Sequence, residues 1–253
     1  VTDEQQGQEI SGGGEAVVRD SLPGRFWAMV VAPREASKAI AARPAWLVAG
    51  LVYIVVIAVY AGLTIHVTMP ENAEYQLDNA VSQEQADLLQ ERIESMRHPS
   101  LTSRVGWGLL SGIGAWLFGV LLPGLIYHPF LRLSNGQGRL PQTIGVVSWA
   151  SLVASTFSSA LKLVLVLGKG TSEAAGTGLV LLFPDARVGS IEYTVLALFG
   201  DVFIWWQIAL FVIGFAVVHR LSLRAAATVT IALAIVGGLI MVGFQAIGSR
   251  MGG

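Results

Sequence analysis

A chain of 253 residues with 53% hydrophobic and 13% charged side chains, a net charge of -1 and a mean hydropathy of +0.63 lies outside the soluble range, where about 25% of residues are charged. It carries no basic stripe for nucleic acid, and with no cysteine it excludes disulfides, thiolate nucleophiles and Cys-based zinc sites. The charges cluster between apolar runs long enough to cross a bilayer, which gives the fold class: all-α, a polytopic transmembrane bundle of five spans with amphipathic surface helices.

Residues 1–22 are rich in Gln, Gly and Glu and offer no apolar face to bury, so they read as a disordered polar tail. The first apolar run begins only after this tail and has no small-residue cleavage site, so a removable signal peptide is not expected. Residues 23–43 turn amphipathic. Phe26, Trp27, Met29, Val30 and Val31 come first, and Pro33 suits the first position of a second helical piece. With Arg34, Lys38 and Arg43 following, this segment fits a helix lying at the headgroups, anchored by Phe26 and Trp27. An ordinary packing helix is the alternative.

The first span covers about 44–66, with Pro44 opening it and Trp46 placed as an interfacial aromatic. A polar excursion follows, with seven acids between Thr68 and Ser100. Ser82 and Gln85 form a capping box ahead of Leu88, Leu89, Ile93 and Met96, which predicts an acidic helix over about 82–97 outside the membrane. The second span covers about 104–131 and should kink at Pro123. A Gly/Asn turn leads to the third span, about 141–168, and the loop 169–190 to the fourth, about 191–219. The short connector Arg220–Arg224 turns the chain back into a fifth span, about 223–247.

Cationic flanks set the orientation. With the N-terminus cytoplasmic, the inner flanks from Arg25 onward hold eight Lys and Arg and the outer flanks six. The short loops at 132–139 and 220–224, which count most, both fall inside. The C-terminus is then external.

Asp201, about ten residues into the fourth apolar run, is the most informative position. An intramembrane carboxylate must be paired, protonated or facing a cavity. The one cation at matching depth is Lys162 in the third span, so the pair admits a structural ion bridge, a proton or ion relay, or a neutral carboxyl. An aspartyl protease needs a second carboxylate sharing a proton, and no other acid lies within a span away from its ends. A serine protease needs a base beside its nucleophile, and His128 and His219 read as interfacial residues at span ends. His66 and His98 with Glu71 or Glu74 match no metal-ligand spacing. No catalytic set, metal site or cofactor is therefore expected. Gly108 and Gly112 form a G-x-x-x-G, and Ser151, Ser155 and Ser159 recur at every fourth position. Both patterns suit close helix packing, within the chain or in a homo-oligomer.

Two stretches together resemble a known family. Phe26-Trp27, Pro33-Arg34-Glu35 and Ile40-Ala41-Ala42-Arg43-Pro44-Ala45-Trp46 lead into the first span. Gly200-Asp201-Val202-Phe203-Ile204-Trp205, Ile213-Gly214 and Leu221-Ser222-Leu223-Arg224-Ala225-Ala226 mark the fourth span and the turn after it. From about Pro23 onward the chain resembles the Yip1-domain family of five-span membrane proteins. The resemblance implies a role in membrane trafficking, since eukaryotic members bind prenylated GTPases through cytosolic tails, although this tail is short and holds no obvious partner motif. The compact loops suit the cytoplasmic membrane of a bacterium or archaeon. The expected function is non-enzymatic: an organising or accessory subunit of trafficking or of a membrane transport complex, in contact with membrane lipids and another integral membrane protein. The rival is a transporter or channel-like protein with a polar path at Asp201 and Lys162.

Overall fold

The computed structural model describes residues 21–78, 82–171, 178–183 and 190–251, and all regular structure among them is helical. The polar tail lies outside them except for Ser21 and Leu22, which begin the first helix. That helix, α1 (Leu22–Val31), is capped by the Ser21 hydroxyl, which accepts from the Gly24 N–H at 3.2 Å. Pro33 opens α2 (Pro33–Ala42), where its missing N–H costs nothing.

The first span does not start at Pro44. Ala45 takes a left-handed conformation (φ 42°), the Pro44 carbonyl accepts from Trp149 Nε1 at 3.2 Å, and α3 runs from Trp46 to Asp78. Its 33 residues are longer than a bilayer core requires, so its acidic end continues the helix through Pro70 beyond the apolar stretch. There α4 (Gln83–Arg97) folds back on it, burying Ile93 and bridging Arg97 to Glu74 at 2.9 Å. The polar excursion is thus largely a helical hairpin.

The second span joins α5 (Leu101–Trp116) to α6 (Leu122–Leu133) through one wide turn of π-helix, Leu117–Leu121. The kink expected at Pro123 takes this form. A proline ring in a helix collides with the carbonyl four residues back, and an extra residue in the preceding turn makes room.

The third span, α7 (Leu140–Lys169), is the axis of the bundle. Val146, Val147, Trp149, Ala150, Leu152 and Val153 are at most 1% exposed, between α3 on one side and the fourth span on the other. The fourth apolar run is broken into α8 (Ile191–Gly200) and α9 (Val202–His219), and only α9 is long enough to cross. The fifth span lies in α10 (Leu223–Met251). Among the described residues, five helices are thus long and apolar enough to span a membrane. Spans one, three and five leave the end that bears Arg43, Arg139 and Arg224. Spans two and four return to it, and the acidic hairpin sits at the opposite end.

Candidate functional site

The break in the fourth run centres on Asp201. Its backbone is extended (φ -78°, ψ 121°), so the carboxylate sits at the mouth of α9 and not along a continuous helix. Oδ1 accepts from the Phe203 N–H at 2.8 Å, and Oδ2 takes the Lys162 ammonium at 3.0 Å. The first bond caps orphan helix donors and the second neutralises the charge. Asp201 is 4% exposed, whereas the Lys162 side chain keeps 30% of its surface. Of the three readings open for the pair, the geometry is that of the ion bridge.

The surroundings of the break are built for it. Trp205 Nε1 donates to the Phe199 carbonyl at 2.8 Å, satisfying a group that the interruption frees. A short 3-10 turn, Leu179–Leu182, lies over the joint. Gly178 (φ +90°) packs against the Gly200 carbonyl, and a Cβ on Gly200 would meet Leu179 Cβ at 2.6 Å. An apolar cavity of about 280 Å³ opens beside the break, lined by Phe199, Ile204, Trp205, Pro123, Tyr127 and Gly238 among others. Neither Asp201 nor Lys162 lines it.

A second polar cluster closes the cationic end. Thr143 Oγ1 lies 3.0 Å from His128 Nδ1 and 2.9 Å from His219 Nε2. His219 is fully buried, contrary to the interfacial expectation. Its ring is covered by the turn between spans two and three. Cβ atoms on Gly136 or Gly138 would come within 2.9 Å of it, and the Gln137 N–H donates to the His219 carbonyl at 3.0 Å. The only sequence signal for this burial is Gly136-x-Gly138, two residues without side chains facing one ring.

The small residues pack within the chain. Gly108 lies against the Ala58 carbonyl and Gly112 against that of Ile54, so the G-x-x-x-G is the seam between spans one and two. Ser151 accepts from Gln207 Nε2 at 2.7 Å, tying span three to span four. Ser155 is half-buried on the same helix, beside Tyr53 of span one. Ser159 is half-buried on the same helix.

The aromatic residues expected at the headgroups pack against rings of other spans. Phe26 stacks on Phe157 at 6.0 Å and Trp27 meets the same ring edge-on at 6.5 Å, near the middle of the third span. Trp46 stacks on Trp116, 6.3 Å away and half-way along the second span. Each ring has found a mid-span aromatic partner. Trp27 is nevertheless 57% exposed, so it is open to the surroundings at the level of Phe157. Its fluorescence, taken as the difference between wild type and Trp27→Phe in vesicles, is expected to be quenched best by bromines near the middle of the chains. Strongest quenching by headgroup-proximal labels would return α1 to the membrane surface.

Glu74, considered above as a metal ligand, is held by Arg97. Among the described residues no three His, Asp or Glu side chains gather as a metal set. Residues 27–244 match the family described as the Yip1 domain. No curated protein and no solved structure matches the chain.

Proposed function

This chain belongs to the Yip1 domain family of membrane proteins, and from that premise we propose that it is a non-enzymatic organising or accessory subunit in membrane trafficking or a membrane transport complex. The observation that carries the reading is the engagement of Asp201 and Gln207 between the spans. Asp201 spends one oxygen on a helix cap and the other on Lys162, and Gln207 is held by Ser151. A residue that moves protons or substrate needs an open face toward water, and the cavity beside the break is apolar and is lined by neither Asp201 nor Lys162. Large lipid-facing surfaces support a partner-binding role. Only 17% of the apolar stretch of the second span and 11% of that of the fifth is buried within the chain.

One observation favours the transporter reading. Interrupted membrane helices with helix ends at a charged residue recur where transporters hold ions, and the break at Asp201 has that form. The two readings separate in proteoliposomes with a trapped pH indicator and an imposed proton gradient. We expect decay no faster than in protein-free vesicles, together with co-purification of a second integral membrane protein in mild detergent. A protein-dependent proton leak that Asp201→Asn abolishes would overturn the proposal in favour of transport.

The proposed orientation places the N-terminus and the arginine-rich end in the cytoplasm of the cell, and the acidic hairpin outside. The chain has no cysteine, so single cysteines report topology cleanly. Glu84→Cys is expected to react with an impermeant thiol reagent on intact cells, and Gln137→Cys only after permeabilisation. The reverse pattern inverts the orientation, and equal labelling of both contradicts the span count.

A further inference from the structure

We propose that the turn between spans two and three, with Arg132, Arg139 and Arg220, forms a binding site for the phosphate of an anionic phospholipid headgroup. All three side chains are exposed and belong to one small region. The Arg132 guanidinium donates to the Gly136 carbonyl at 3.2 Å, and the Arg220 guanidinium reaches Gln137 Oε1 at 3.5 Å. Arg139 ends the turn and caps the third span. No acid occurs in the turn or in the helix ends beside it, and the one acid in the neighbouring α1–α2 segment, Glu35, is bridged to Lys38 at 2.8 Å. Planar guanidiniums with spare donors match phosphate oxygens two at a time.

The backbone at Arg220 gives independent support. Arg220 caps α9 in the left-handed region (φ 55°), a position where helices ordinarily place glycine because a Cβ is strained there. Strain of this kind persists where the surrounding structure over-determines it, and it clusters at functional sites. What surrounds the arginines selects lipid over free phosphate. Leu133 is 80% exposed, Leu223 59% and Phe130 45%, so the cations rise from an apolar collar that acyl chains would cover while the headgroup meets the turn.

The test counts lipid bound to the full chain. Detergent-purified protein is incubated with phosphatidylglycerol or phosphatidylcholine of equal chain length, and retained lipid is read by native mass spectrometry. Wild type is expected to retain phosphatidylglycerol preferentially, and Arg132→Gln and Arg220→Gly each to lower that retention about tenfold, the loss of a charge-assisted contact. Arg220→Gly should keep or raise the melting temperature, because glycine relieves the backbone, so its lost retention cannot be blamed on unfolding. Arg220→Gln repeats the test without the backbone change, and Arg104→Gln at the opposite end should retain lipid normally. Equal retention of the two lipids, or unchanged retention in Arg220→Gly and Arg220→Gln, overturns the proposal. A rise in melting temperature with inorganic phosphate alone that equals the lipid's and needs Arg220 would assign a free-anion site and overturn it too.

Discussion

Asp201→Ala is expected to destabilise the protein by about 3–5 kcal/mol, because it strands the Lys162 ammonium and uncaps α9 at once. Asp201→Asn should cost less, since asparagine caps a helix as well as aspartate does and the partly exposed Lys162 can draw its charge toward the near end of the bundle. Lys162→Met leaves a carboxylate that is 4% exposed without its cation. Combining Asp201→Asn with Lys162→Met leaves no charge stranded, so the double variant should recover about 1–3 kcal/mol relative to the sum of the single losses. Thermal unfolding in nanodiscs measures all four species. Strict additivity removes the ion pair as a source of stability. Asp201→Ala and Asp201→Asn costing the same would show that the cap contributes nothing.

This cycle also bears on why the break escaped a reading of the sequence. Residues 191–200 and 202–219 are both strongly apolar, so hydropathy alone joins them into one run across Asp201. The local signal was present, because Gly200-Asp201 ahead of a new apolar stretch is a helix stop followed by an N-cap. Its weight could not be judged without Gly178 and Leu179, which pack over the joint from a separate loop. The partnership of Asp201 with Lys162 was legible for a simpler reason: a carboxylate at that depth needs a cation, and the chain offers one. Pro33 as a helix start was equally local. The pairing of Phe26 and Trp27 with Phe157 was not, because nothing local links residues about 130 positions apart. His219 makes the same point, since a histidine at a span end next to Arg220 reads as interfacial and its cover comes from glycines about eighty residues earlier.

Gly108→Val and Gly112→Val are expected to separate spans one and two, and each to cost about 3 kcal/mol, at the upper end for an overpacked site. The Cβ of residue 108 would lie 2.5 Å from the Ala58 carbonyl oxygen, and that of residue 112 would press on the Ile54 carbonyl. Both obstacles are backbone, so no side-chain rotation relieves them and the helices themselves must move apart. Gly106 and Gly114 lie on the same helix with nothing within 4 Å of a Cβ. Alanine at either should be neutral, or stabilising by up to about 1 kcal/mol through helix propensity. Melting temperature and oligomeric state, measured together, decide between the two uses of the G-x-x-x-G. A seam within the chain loses stability in both valine variants while the oligomeric state of the folded fraction stays the same. A seam between copies does the reverse, converting oligomer to monomer with little change in the unfolding of each chain. The carbonyls of Ala58 and Ile54 already fill the groove that a second copy would need, so any self-association must use another face, and the exposed sides of the second and fifth spans are where it would form.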